Sequence, residues 1–331
     1  MAKINIIAWN NQGGLSHDVI LLKQALEQLG HQVFTTLVGP RRSDGKLRAQ
    51  LQRLIHCNRT IYDINIVLEH IRPSFCWMAR HNVFIPNPEW FLERDAKALK
   101  LMDAIFTKTE IATEMFSPNH PQTHYIGFTS FDHYDPEIIK KPSFLHLSGT
   151  SKMKGTERLL QIWRRHPEWP LLTVYQTFPP AEPVEEPANI ARHITRLDAQ
   201  TVKFLQNSHL YHLCLSEAEG WGHYIVEGMT CAAVVFVCDA PPMNELVTPT
   251  RGFRIAATAN SLSNQAACWK FDIADFEATI AHAITMTTKQ ANLLGQSARN
   301  WYLDNHSLFS SRLGTALNTL TIMTPLARQG H

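Results

Sequence analysis

No Cys-x-x-Cys pair, no Asp-x-Asp pair and no His-x-x-x-His pair with an intervening Glu occurs in the 331-residue sequence, in spite of its 17 histidines. Without the first pattern, Cys57, Cys76, Cys214, Cys231, Cys238 and Cys268 read as reduced core thiols, not as disulfides or zinc ligands. Without the other two, no metal site is expected. No apolar run approaches the roughly 18 residues of a membrane-crossing helix. The opening residues 1–10 are too short of apolar residues for a signal peptide, so the expected location is the cytoplasm. Charge of one sign is also missing: the net charge is +2 with 18% charged residues, and nothing global demands nucleic acid or a membrane.

What is present is ordinary for a globular chain, with 44% hydrophobic residues and a length that suits two domains of about 150 residues each. The first half alternates strand and helix. Residues 4–8 read as a strand, a turn at 10–14 follows, and Ser16 can cap a helix over 17–29 whose apolar face is Ile20, Leu21, Leu22, Ala25 and Leu26. Strands are predicted at 32–37, 64–68, 83–85 and 104–107, with a helix at 92–101. The beat resumes at Phe144 without visible repetition. It predicts α/β architecture: parallel sheets covered on both faces by helices, with ligands at the carboxyl ends of the strands.

The richest stretch is Ser216-Glu217-Ala218-Glu219-Gly220-Trp221-Gly222-His223-Tyr224-Ile225-Val226-Glu227-Gly228-Met229. It follows an apolar run at 210–215 that reads as a buried strand, and a helix is predicted from Tyr224 to about Ala233. The glycines therefore sit where a strand passes into a helix N-terminus, where free N–H groups and the helix dipole favour an anion. Glu219 in the turn and Glu227 in the helix can accept hydrogen bonds from hydroxyl groups on either side. Phosphate flanked by hydroxyl-binding carboxylates describes a nucleotide sugar.

With the small-residue helix, the apolar run at 233–238 and the turn Asp239-Ala240-Pro241-Pro242-Met243-Asn244-Glu245, this block resembles the E-x7-E signature of retaining glycosyltransferases of the GT-B fold, glycosyltransferase family 4 above all. The resemblance implies two Rossmann-like, doubly wound domains with a cleft between them. The acceptor-side domain is expected at 1–140, the nucleotide-sugar donor domain at 141–310, and a tail at 311–331 packing back on the first. It further implies that Glu227 holds the ribose, that Glu219 holds the transferred sugar, and that the amides of Gly220, Trp221, Gly222 and His223, with Tyr224 beside them, line the donor site. In the loop Ser148-Gly149-Thr150-Ser151-Lys152-Met153-Lys154-Gly155, Lys154-Gly155 matches the family's lysine-glycine pair that grips the diphosphate. The usual arginine position falls near Gly149, a departure that leaves Ser151 or Lys152 as substitutes.

Fainter parallels extend the donor site. His193 to Arg196 matches the segment that reads the nucleobase, and residues 294–302 resemble the closing helix. Gly13 and Gly14 match a substrate loop after the first strand, with His17 and Asp18 nearby. His70, at the end of the 64–68 strand after Glu69, matches a histidine near the transferred sugar, so the catalytic set is Glu219, Lys154 and His70. The turn Pro86-Asn87-Pro88-Glu89-Trp90 and Thr107-Lys108-Thr109 end neighbouring strands, where the former can line the acceptor side or serve structure alone.

The expected reaction moves a sugar from a nucleotide diphosphate, most readily a UDP-sugar, to an acceptor hydroxyl with retained configuration and without cofactor or metal. Alternatives on the same motif are a sugar-nucleotide epimerase and a non-catalytic sugar-nucleotide-binding protein. The segment 41–59 concentrates Arg41, Arg42, Lys46, Arg48, Arg53 and Arg59 against Asp44 alone. Leu47, Leu51 and Leu54 are expected to anchor it inward and leave the basic side outward. Such a face suits a glycan or glycolipid acceptor at a membrane contacted peripherally, or the phosphates of DNA in a base-modifying glucosyltransferase.

Overall fold

A computed structural model describes residues 1–11, 13–39, 47, 49–51, 54, 55, 59–180, 184–264 and 266–322. The strands in chain order are β1 (Lys3–Trp9), β2 (Gln32–Val38), β3 (Tyr62–Leu68), β4 (Ala79–Ile85), β5 (Ala104–Thr107), β6 (Thr123–Tyr125), β7 (Lys141–Gly149), β8 (Leu172–Gln176), β9 (Ile190–Ile194), β10 (His209–Cys214), β11 (Val234–Cys238), β12 (Phe253–Ile255), β13 (Ala257–Ser263) and β14 (Ala266–Phe271). The chain divides into two units: the described residues of Met1–Thr129, Asn264–Ala266 and Asn305–His331, and those of Ser130–Ser263 and Ala267–Asp304.

In the first unit a six-stranded sheet runs in the order β2-β1-β3-β4-β5-β6, every pairing parallel. Its central strands are near-continuous apolar runs because helices cover both faces. Ile4, Ile6, Ile64, Ile66, Val83, Phe84 and Ile105 are all essentially without exposure. Polar residues interrupt these runs in register. Thr36 Oγ1 donates to Asn5 Oδ1, Asn5 Nδ2 to Asn65 Oδ1, and Asn65 Nδ2 to both Asn82 Oδ1 and the Phe75 carbonyl, while Asn82 Nδ2 reaches the Cys76 carbonyl, all over 2.9–3.1 Å. The ladder joins four adjacent strands through satisfied buried amides, and a one-residue slip would orphan them.

The helix after β1, Gly14–Gln28, starts at Gly13, so Ser16 does not cap it. Asn11 Oδ1 accepts from Gly13 N at 2.9 Å just ahead of the helix and from Ser16 N, inside the first turn, at 3.4 Å. Ile20 is exposed, and the buried face is Leu15, Asp18, Val19, Leu21, Leu22, Ala25 and Leu26. Residues 47, 49–51, 54 and 55 are helical, with Ala49 buried. Leu47, Leu51, Leu54 and Ile55 are 63, 53, 76 and 73% exposed, which reverses the expected inward anchoring: the small residue packs and the leucines face outward. Arg41, Arg42, Lys46, Arg48 and Arg53, and the final residues 323–331 of the tail, lie outside the described residues. From Asn305 the last helix, Thr288–Ile322, belongs to the first unit, where Phe309 packs on Phe128 with ring centroids 5.0 Å apart.

The second unit holds a parallel sheet ordered β12-β11-β10-β7-β8-β9. Counted within the unit this is the doubly wound order 6-5-4-1-2-3, which reverses direction between β7 and β10. The hairpin β13-β14 forms a separate two-stranded sheet that periodicity does not announce, because β13 is mostly exposed and polar. Among the described residues, no helix is long and apolar enough to cross a membrane.

Candidate functional site

At the switch point of the second unit, β7 and β10 each deliver the chain into a short loop and then a helix. Thr156–Trp163 follows β7 and His223–Thr230 follows β10. Both helices begin on a glycine in the left-handed region, Gly155 at φ 68° and Gly222 at φ 98°, where a Cβ is disfavoured. A Cβ on Gly155 would lie 2.8 Å from the Leu215 carbonyl, so the two loops touch backbone to backbone. Glu217 N donates to the Met153 carbonyl at 2.8 Å and fixes their alignment. Two helix N-termini are thereby presented on neighbouring strand ends.

The side chains between them form one cluster. Lys154 Nζ pairs with Glu219 Oε1 and sits 3.6 Å from the centre of the Tyr224 ring. Ser216 Oγ donates to the same Glu219 oxygen at 2.5 Å and also meets the Tyr224 hydroxyl. Lys154 and Glu219 keep 15% and 14% side-chain exposure, which leaves them accessible yet largely out of bulk water. Burial raises the Tyr224 phenol well above its ordinary range, so it stays a neutral donor.

His146 braces this cluster from beneath. Its Nδ1 lies 2.8 Å from the Leu213 carbonyl, which can only accept, so Nδ1 carries the proton and Nε2 accepts from Thr156 Oγ1 at 2.8 Å. Complete burial lowers its pKa to about 4 and keeps it neutral. The first residue of one helix is thus tied through an uncharged imidazole to β10. Sequence reading missed His146, whose only signal is a polar residue inside an apolar strand.

The remaining predicted residues fall in four places. Glu227 lies one turn into its helix and is buried, with Oε2 accepting from Gln206 Nε2 at 3.1 Å while His133 Nδ1 donates to Gln206 Oε1 at 2.6 Å. Trp221 is buried, its indole N–H donating to Ser130 Oγ at 3.3 Å, and His223 Nδ1 lies 2.9 Å from the same hydroxyl. In the β7 loop, Ser151 Oγ accepts from Met153 N at 3.2 Å, and exposed Lys152 stands over the Phe178 ring at 4.9 Å. His193 stacks on Tyr175 at 4.5 Å between centroids, and exposed Arg196 follows it off β9, two strands from β7 on the same sheet edge.

Gly13, Gly14 and His70 belong to the first unit. Gly13 and Gly14 start the helix after β1, as described. His70 Nδ1 lies 2.9 Å from Asp95 Oδ2, and its Nε2 is 3.9 Å from Glu69 Oε1. Asp18 is buried and pairs with Lys108 at 2.8 Å.

This combination of two doubly wound units, one with two glycine-started helix N-termini at its switch point, defines an α/β protein of two Rossmann-like domains. No known protein-family model matches the sequence, and no curated protein matches it. Solved structures do. A glycosyltransferase from Rickettsia africae ESF-5 is 13% identical, with 96% of this chain and 98% of that one covered at a TM-score of 0.72. HepE from Anabaena, solved in complex with UDP and glucose, is 16% identical over 96% of this chain and 100% of its own, at 0.66. Sucrose-phosphate synthase from Thermosynechococcus elongatus is 12% identical over 97% and 100%, at 0.69. The fold is the two-domain α/β fold of these GT-B glycosyltransferase structures.

Proposed function

We propose that this chain is a metal-independent, retaining glycosyltransferase of the family 4 type that moves a sugar from a UDP-sugar to an acceptor hydroxyl. The carrying observation is the meeting of Lys154 and Glu219 between two glycine-started helix N-termini at the β7/β10 switch point. That HepE was solved with UDP and glucose supports the choice of donor. Lys154 and the amides of Gly220 to His223 hold the diphosphate, Glu219 the sugar hydroxyls, Glu227 the ribose, and the His193–Arg196 edge the base.

As the bond from the anomeric carbon to the β-phosphate breaks, its electron pair goes to the phosphate. The acceptor oxygen bonds to the same face of that carbon and its proton passes to the leaving phosphate. Fixed positive charge aimed at that phosphate lowers the barrier, each such group being worth about 3 kcal/mol. The acceptor is a cell-envelope glycan or glycolipid reached from the cytoplasm at the inner membrane face. Exposed Leu47, Leu51, Leu54 and Ile55 beside a basic sequence suit a lipid surface better than DNA.

Incubation with UDP-glucose and related donors, following free UDP, tests the reaction. Slow hydrolysis, accelerated by envelope glycolipid, is the expected result. Binding without UDP release would leave an epimerase or a sugar-nucleotide sensor instead.

A further inference from the structure

Gln206, in the last turn of the helix Ala199–Ser208, is 1% exposed and meets three partners in the second unit. Its Nε2 donates to Glu227 Oε2 at 3.1 Å, its Oε1 accepts from His133 Nδ1 at 2.6 Å, and its main-chain carbonyl accepts from His212 Nε2 at 3.0 Å. An amide that faces a carboxylate must do so with its nitrogen, so its oxygen points the other way and takes the His133 hydrogen. Turned over, it would set oxygen against oxygen at Glu227 and N–H against N–H at His133. The two contacts therefore enforce one orientation of the amide, and through it one rotation of the Glu227 carboxylate.

His133 is itself fixed through its main chain. Its N–H donates to Thr230 Oγ1 at 3.1 Å, that hydroxyl donates to the Glu227 carbonyl at 2.7 Å, and the His133 carbonyl accepts from Asn207 Nδ2 at 2.7 Å. Thr230 and Asn207 are without exposure, so the segment carrying His133 is bound both to the helix that bears Glu227 and to the helix that bears Gln206. Beside Glu227, a Cβ on Gly228 would lie 2.7 Å from His212 Nδ1, so that helix sits hard against the ring that holds the Gln206 carbonyl. Fixing the rotation of a carboxylate matters where its oxygens must meet two neighbouring donors in a set geometry, as the paired hydroxyls of a ribose present them. The ordering is then complete before the ligand arrives and is not charged against binding.

We infer that Gln206 and His133 are positioning residues for nucleotide recognition: His133 sets the Gln206 amide, and Gln206 aims Glu227 at the ribose hydroxyls. The inference rests on the reading of Glu227 as the group that holds the ribose.

The full chain is titrated calorimetrically with UDP and with 2′,3′-dideoxy-UDP, which differ only in the ribose hydroxyls. Wild type should prefer UDP by roughly tenfold to a hundredfold, the worth of hydrogen bonds to a charged group. Gln206→Met keeps the volume and loses the amide, and His133→Phe keeps a ring and loses Nδ1. Each should cut the preference by about fivefold, with affinity for the dideoxy compound little changed. His133→Asn, whose Nδ2 takes the place of the ring Nδ1, should restore it. A merely structural role would lower both affinities together and leave their ratio alone, and if Gln206→Met does not fold, the two His133 variants decide. A wild type that prefers UDP beside Gln206→Met and His133→Phe proteins with the same ratio would overturn this inference and leave Glu227 as the ribose holder. Equal ratios in His133→Asn and His133→Phe would also overturn it. A wild type that binds both nucleotides alike, or neither, sinks the ribose assignment and this inference with it.

Discussion

Lys154 and Glu219 are paired, so a diphosphate that draws on the ammonium competes with the carboxylate for it and loosens the carboxylate toward hydroxyl groups. Lys154→Met is expected to lose most of the UDP-induced rise in Tm and to slow transfer by about 3 kcal/mol, read from kcat/KM. The two glutamates should behave differently. Glu219→Ala removes a group from an accessible loop, so turnover should fall while the urea midpoint stays near wild type. Glu227→Ala should weaken donor binding by about 1.5–3 kcal/mol and lower stability as well, because Gln206 Nε2 is left buried without its acceptor. Full activity in both glutamate variants would remove the donor-site assignment. Glu219 and Lys154 stood out in the sequence because each has glycine beside it after an apolar run. Gln206 did not, since nothing in Leu205-Gln206-Asn207 signals that its amide meets Glu227; that contact is made by tertiary packing.

At the level of elements, the two loops at the β7/β10 switch point depend on a contact that tolerates no side chain. Gly155→Ala meets both an unfavourable φ and the Leu215 carbonyl at 2.8 Å, so a loss of about 1–3 kcal/mol in urea unfolding is expected, with Lys154 misaimed. The strands beneath set a pH limit. His146 and His212 are buried neutral, their pKa values lowered from 6.5 to about 4 and about 3 by desolvation. The unfolded chain binds protons at both before the folded chain does. Their contribution is therefore fully present above pH 6.5 and is lost progressively as pH falls toward 4, by up to about 1.4 kcal/mol per pH unit for each histidine. Urea midpoints measured between pH 7 and 5 should show this slope, and His146→Gln should reduce it to the share that His212 still contributes; a flat wild-type profile would contradict neutral burial. The strands themselves were readable from short apolar runs ending in turn residues. The β13-β14 hairpin was not, since Ala257–Ser263 alternates small and polar residues with no buried face to mark it.

For the whole molecule, charge compensation by lysine and helix ends leads to the expectation that transfer persists in excess EDTA. Loss on chelation with recovery on adding manganese or magnesium would reveal an ion site. Membrane docking is the second global expectation. Leu51→Glu with Leu54→Glu should abolish co-sedimentation with anionic liposomes while UDP binding is unchanged, and equal retention of wild type and variant on duplex DNA would separate lipid from nucleic acid. The doubly wound order of both sheets was inferable only as a class. Periodicity supplies strand after strand, but the neighbours of β7 and β10 are set by the crossovers, which no local pattern records.

The asparagine ladder of the first sheet also has a sense of travel. Every amide in it gives its protons toward β4 and takes them from the β2 side, ending on the carbonyls of Phe75 and Cys76. No member can turn around alone, because its oxygen would then face another oxygen. Chemical ageing of Asn65 to Asp would strike this one-way circuit at its middle, leaving Asn82 Oδ1 and the Phe75 carbonyl with no proton to receive. Asn82 could answer only by reversing and confronting the Cys76 carbonyl. One altered atom on β3 would therefore be felt at the 3-10 turn Pro73–Met78 twice, directly at Phe75 and by way of Asn82 at Cys76, and stored protein should lose that turn's hydrogen-exchange protection before the rest of the sheet.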